Sequence, residues 1–202
     1  MKLYTTAVAP NPRRVTIFLN EKGIDIPTVE LDLGKSEHLT DEFAAKNPMA
    51  RVPVLEMDDG TYLAESLSIC RYFEEIQPEP PLFGVGARDK AEVDMWNRRM
   101  ESEVLGMISG CFRNTHPYWE GKIPQFSDFG ENCRATVLSR MEWLDSELAD
   151  REFIAGDRFT VADITAHTGF ALGRIPKIRI SEELKNLQRW YDAVAARPSV
   201  SG

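Results

Sequence analysis

The run from Asn47 to Glu74, NPMARVPVLEMDDGTYLAESLSICRYFE, gathers groups able to hold a small charged peptide. Val52, Val54 and Leu55 favour a strand. Pro53 among them cannot donate to a sheet ladder, which places it at a strand's beginning or edge. The main chain of Val52 is then free to pair with an extended segment, as in recognition by strand addition. Glu65 and Ser66 open a helix whose unpaired N–H groups attract a carboxylate, while Glu65 itself offers a counter-charge for an ammonium. A pairing edge beside a site for a free amino-acid end describes a small-peptide receptor. The bland alternative is a plain helix start, with Ser66 as N-cap and Glu65 facing the helix dipole.

The elements that position these groups alternate over the first part of the chain. Lys2 to Thr5 reads as a strand. Arg14 to Lys22 reads as a helix with Val15, Phe18 and Leu19 on one stripe, closed by Gly23. Thr28 to Leu33 is a second strand, and a short helix is expected around Glu42. Asp58-Asp59-Gly60 turns the chain, so that Thr61, Tyr62 and Leu63 return beside the proline strand. The helix from Ser66 to Ile76 completes a β-α-β, then β-β-α, order, which is the thioredoxin-like arrangement. The stretch QPEPPLFGVG, residues 77–86, reads as a linker because its prolines and glycines cannot continue a helix.

Everything after the linker has helical spacing. Trp96, Met100, Val104, Met107, Ile108 and Cys111 form one stripe; Val137, Met141, Leu144 and Leu148 form another; Leu184, Leu187, Tyr191 and Val194 form a third. Thr160 and Asp163 make a capping box, with Phe159 and Ile164 at staple positions. Asp163 is read as a structural cap rather than a catalytic carboxylate. The expected organisation is a thioredoxin-like α/β domain over residues 1–76, the linker, and an all-helical domain over residues 87–202.

Composition excludes several functions. With 24 basic against 32 acidic residues, the chain has no general affinity for nucleic acid. No apolar run approaches the ~20 residues of a membrane span, and Met1 leads into strand-like KLYTTA with no signal-like run. The 3 cysteines, Cys70, Cys111 and Cys133, are widely spaced with no CxxC pair. Neither a disulfide framework nor a metal site is expected, and reduced thiols in the cytoplasm are.

In NPMARVPVL, in Glu65-Ser66 followed by Ile69 and Tyr72-Phe73, and in FIAGDRFTVAD, the chain resembles cytosolic glutathione S-transferases over essentially its whole length. The resemblance implies glutathione as co-substrate, an apolar electrophile as second substrate, a homodimer and a role in detoxification. It implies that Pro53 is cis. Val52 would pair its main chain with the cysteinyl part of glutathione, Glu65 and Ser66 would hold the γ-glutamyl amino and carboxylate groups, and Arg51 or Lys35 would approach the glycyl carboxylate. Arg51 and Lys35 equally suit plain surface charge, and His38 is expected to be solvated.

The first strand-to-helix turn departs from the family. Its residues read TTAVAPNPRRV, and Ala9 stands where many bacterial and theta-like transferases carry a serine hydroxyl. Serine-type activation is therefore absent. Tyr4 lies inside the strand, where packing is expected, and no cysteine occupies the turn. Ala9-Pro10-Asn11 resembles instead the Thr-Pro-Asn turn of nu-like bacterial transferases, in which the asparagine amide contacts the glutathione sulfur. Lowering a thiol pKa from ~8.5–9 by two units takes ~2.7 kcal/mol. A hydrogen bond to a charged acceptor supplies about 1.5–3 kcal/mol and a helix N-terminus about 0.3–1, so Asn11 suffices for a catalytic role. Asn11 also fits as N-cap of the first helix, with Pro12 at its first position.

Met107, Cys111, His116 and Tyr118 lie on, or just beyond, the long helix expected to face the glutathione turn. They either line an apolar acceptor pocket or belong to the core. The leading expectation is conjugation of the glutathione thiolate to electrophilic small molecules. Reduction of disulfides or peroxides, and a non-catalytic binding protein of the same fold, are the alternatives.

Overall fold

The computed structural model describes residues 1–201, which divide into two compact units, one ending at Pro81 and the other beginning at Leu82. The first unit contains β1 (Lys2–Thr5), α1 (Pro10–Lys22), β2 (Thr28–Glu30), α2 (Asp41–Ala44), β3 (Val54–Glu56), β4 (Tyr62–Ala64) and α3 (Ser66–Ile76). Its sheet has the order β2-β1-β3-β4, with β1 parallel to β2 and antiparallel to β3, and β4 antiparallel to β3. This is the expected thioredoxin-like unit.

Several elements follow the sequence signals closely. Gly23 closes α1 in the left-handed region at φ 64°. Gly60 takes φ 82° in the β3–β4 turn, where the Thr61 carbonyl accepts from the Met57 N–H at 2.8 Å. Val52–Pro53 is cis, as the resemblance implied. The second strand is shorter than expected and stops at Glu30, because Asp32 begins a turn in which its carboxylate accepts from the Gly34 N–H at 2.8 Å.

At the end of the unit a buried ion pair fixes the chain. Lys22 Nζ lies 2.5 Å from a Glu74 carboxylate oxygen and donates to the carbonyls of Gln77, Pro78 and Pro80. A buried ammonium is tolerated only with this degree of pairing.

The second unit is helical, matching the expected all-helical class. α4 (Gly86–Arg99) continues through a π-helical segment (Met100–Gly106) into α5 (Met107–Thr115). There follow α6 (Ser127–Glu147), α7 (Val161–Gly173), α8 (Lys185–Ala195) and α9 (Pro198–Ser201). Helix α7 is the core element. Residues 161–170 are all buried, and they pack on α4, the π segment, α5 and α8. Gly169 brings α7 close to the π segment: a Cβ there would meet the Leu105 Cα at 3.2 Å.

The capping box at the start of α7 is present, and its acid does more than cap. One Asp163 oxygen accepts from the Thr160 N–H at 2.9 Å. The other accepts from the Ile154 N–H at 2.9 Å and from the Trp190 Nε1–H at 2.8 Å. Burial pushes the Asp163 carboxyl above its usual range.

All three cysteines are buried and unpaired. Burial raises the Cys70 thiol to about 12 and raises Cys133 as well. Native protein at pH 8 is expected to resist iodoacetamide at all three, and to take three labels once unfolded in guanidinium. Intact-mass spectrometry showing rapid native labelling would contradict the burial.

Candidate functional site

Of the residues expected to grip glutathione, Val52 precedes β3, and Glu65 and Ser66 lie between β4 and the first turn of α3. Val52 lies outside the ladder, whose pairing begins at Val54. Its half-buried side chain packs against the cluster of Tyr4, Phe43 and Val54, which fixes the orientation of its main chain. The expectation that Val52 is part of a strand is corrected: cis-Pro53 comes immediately before an internal strand, and the ladder starts after it. Asn47 supports this segment by donating its amide to the Arg51 carbonyl at 2.7 Å.

Glu65 occupies the N-cap position of α3 with φ 67° and ψ 119°, and its side chain makes no capping bond. A non-glycine residue held there is strained, of order 1–3 kcal/mol, and such strain concentrates at functional positions. Ser66 is the first helical residue rather than the N-cap, and it is buried. Its Oγ accepts a hydrogen bond from Arg14 Nη1 at 3.1 Å. That bond occupies a lone pair and leaves the Ser66 proton to donate elsewhere. The backbone strain and the hydroxyl set by a buried guanidinium both suit reception of a carboxylate at a helix N-terminus.

Arg14 was not singled out in the sequence. It is 1% exposed, sits on α1 and reaches Ser66 at the start of α3. A cation directly beside Val15 on the apolar stripe of α1 was the available signal.

The turn before α1 is corrected in one respect. The helix starts at Pro10, with Ala9 as N-cap and without a side-chain cap, so Asn11 is not the cap. It is an exposed residue in the first turn. Pro10 and Pro12 carry no N–H, and the Arg13 N–H is bonded to the Ala9 carbonyl at 3.2 Å. Asn11 therefore offers a backbone N–H with no partner among the described residues, together with its side-chain amide. Tyr4 is engaged elsewhere, its hydroxyl donating to Glu56 at 2.7 Å, so it packs as expected.

Arg51 is exposed, and Lys35 is 76% exposed with its ammonium 3.4 Å from Asp32. His38 departs from the solvated reading: it sits in a 3-10 turn with a buried Nδ1 that makes no hydrogen bond.

In the helical unit, Met107 and His116 are half-buried, Tyr118 is 46% exposed and Cys111 is fully buried. The Cys111 thiol contacts the Thr115 hydroxyl at 3.8 Å, and its full burial leaves no surface for a ligand. Phe112 joins His116, Tyr118 and Trp119 in one aromatic group, with centroids 5.1–6.3 Å from its own.

Comparison with known proteins completes the description. Family models described as "Glutathione S-transferase, N-terminal domain" and "Glutathione S-transferase, C-terminal domain" match residues 3–81 and 121–198. The chain is 37% identical to glutathione S-transferase 2 of Saccharomyces cerevisiae, over 99% of its own length and 88% of that protein's. A solved glutathione S-transferase domain-containing protein from Marinobacter aquaeolei is 41% identical with a TM-score of 0.92, covering 99% of this chain and 100% of that one. A glutathione S-transferase of class Gtt2 from Vibrio parahaemolyticus is 35% identical with a TM-score of 0.88, covering 100% and 96%.

Proposed function

The chain belongs to the glutathione S-transferase family, and from that premise we propose that Val52, Glu65 and Ser66 hold glutathione while Asn11 contacts its sulfur. Glutathione-dependent transferase activity follows from the named relatives, with glutathione as co-substrate. Among the described residues no helix is long and apolar enough to cross a membrane, and no group of His, Cys, Asp and Glu is placed to hold a metal. The observation that carries the site assignment is the strained Glu65 beside a Ser66 hydroxyl oriented by buried Arg14.

In this reading the γ-glutamyl ammonium pairs with Glu65, its carboxylate accepts from Ser66, and the cysteinyl backbone pairs with Val52 next to Pro53. The thiol loses its proton to solvent as Asn11 donates to the sulfur. The thiolate then attacks the electrophilic carbon of an apolar acceptor, forming a C–S bond as the leaving group departs with the bonding pair. Arg51 and Lys35 attract the glycyl carboxylate. Met107, His116 and Tyr118 supply acceptor-facing surface, backed by Cys111 from the core. The Ala9-Pro10-Asn11 turn supports a nu-like bacterial reading, at the position where theta-like transferases carry serine, and the unpaired cysteines fit a cytoplasmic location.

Ultraviolet titration of enzyme-bound glutathione tests the sulfur contact. The wild type is expected to show thiolate well below pH 8, and Asn11→Ala to raise the midpoint by about one to two units, the worth of one hydrogen bond to a charged acceptor. Identical titrations near pH 9 would remove Asn11 from catalysis.

We also propose a homodimer, with Tyr62 and Arg71 at its contact; Tyr62 is 40% exposed on the edge strand β4. Light scattering at micromolar concentration should give about twice the 22.9 kDa chain mass. A persistent monomer contradicts it.

A further inference from the structure

The helical unit contains a cleft of about 460 Å³ between the C-terminal end of α7, the segment after it and α8. Its apolar wall is made by Phe170 and Ile178, which are buried, and by Ile180 and Tyr191, which are half-buried. Tyr191 is held in place by two neighbouring rings. His167 stacks on its ring with centroids 4.9 Å apart and 22° between planes, and Phe170 meets it edge-on at 6.5 Å. A rigid ring beside aliphatic side chains suits a flat apolar body.

The mouth carries Arg174 and Arg179, both exposed. In this acidic chain of net charge -8, other arginines of the helical unit have clear partners: Arg88, Arg98, Arg134, Arg140, Arg151 and Arg158 each have a carboxylate within 4 Å, Arg99 and Arg113 lie over indole rings, and Arg189 donates to backbone carbonyls. Arg174 and Arg179 have no such carboxylate among the described residues; the Arg174 contact to the Tyr191 hydroxyl, at 3.4 Å, is long and neutral. Gln188 also lines the cleft, and its amide donates to Asp192 at 2.8 Å. Two guanidinium forks without a carboxylate, over an aromatic and aliphatic wall, form a receptor for an organic anion.

We propose that this cleft binds a planar aromatic carboxylate, its ring against Tyr191 and Ile178 and its carboxylate between Arg174 and Arg179. The site uses no residue assigned to glutathione, so its failure leaves that assignment intact. The test is calorimetric titration of the full-length protein with 2-naphthoate, with glutathione held at saturation. Binding in the micromolar to millimolar range is expected. R174Q/R179Q should weaken it by about tenfold or more, the factor expected for losing charge-assisted hydrogen bonds, with glutathione affinity and thermal midpoint unchanged. Neutral 2-naphthalenemethanol should bind the wild type at least tenfold more weakly than naphthoate. Amide shifts in the wild type should centre on Ile178 and Tyr191, a readout independent of any variant. No naphthoate binding at millimolar concentration, equal binding by the double variant, or shifts centred elsewhere would overturn the proposal.

Discussion

Asp163→Ala is expected to lower the unfolding free energy by about 3–5 kcal/mol, a large share of the 5–15 kcal/mol that holds a typical protein together. The carboxylate sits at 0% exposure and receives the N–H groups of Ile154 and Thr160 and the indole N–H of Trp190. Loss of a helix cap alone costs about 1 kcal/mol. The excess arises because three buried donors from three segments are left unsatisfied at about 1–3 kcal/mol each. Asp163→Asn keeps one acceptor oxygen and should fall between wild type and alanine. Urea denaturation monitored by tryptophan fluorescence measures both. A loss below about 1 kcal/mol for alanine would reduce Asp163 to an ordinary cap.

Substitution at Glu65 should separate binding from stability. At φ 67° the glutamate is strained, and glycine tolerates that conformation at no steric cost. Glu65→Gly is therefore expected to hold or raise stability by up to about 1 kcal/mol, despite the added freedom of the unfolded chain. It should also weaken glutathione at least tenfold, since a lost charged partner removes about 1.5–3 kcal/mol. Ser66→Ala should weaken binding similarly, and it should destabilise the fold as well, because the buried Arg14 Nη1 loses its bond to the hydroxyl at 3.1 Å. A residue serving only as architecture would show the reverse at position 65, with stability falling and affinity unchanged.

The parts of this molecule that could be read from sequence are those where one residue type has few alternatives. Gly23 and Gly60 mark left-handed positions, Thr160 and Asp163 mark a helix start, and Pro53 marks a strand boundary. The first helix began earlier than its apolar stripe suggested, because proline can open a helix whose N-cap, Ala9, offers no side-chain bond. Arg14 and Trp190 were missed for a shared reason. Both are buried through hydrogen bonds to residues remote in sequence, Ser66 and Asp163, and periodicity carries no record of such partners. The π segment at Met100–Gly106 escaped notice because its apolar spacing still passes for α-helical.

Glutathione and cysteinylglycine, titrated in parallel into the wild-type protein, probe the site most directly. The dipeptide retains the thiol and the glycyl carboxylate and lacks the γ-glutamyl end that Glu65 and Ser66 are assigned to grip, with a free cysteinyl amine in place of the amide. The account predicts saturable binding of glutathione and at least a hundredfold weaker binding of cysteinylglycine, the combined factor for two charged contacts of about 1.5–3 kcal/mol each. Equal affinities, or no heat from glutathione at millimolar concentration, would contradict it.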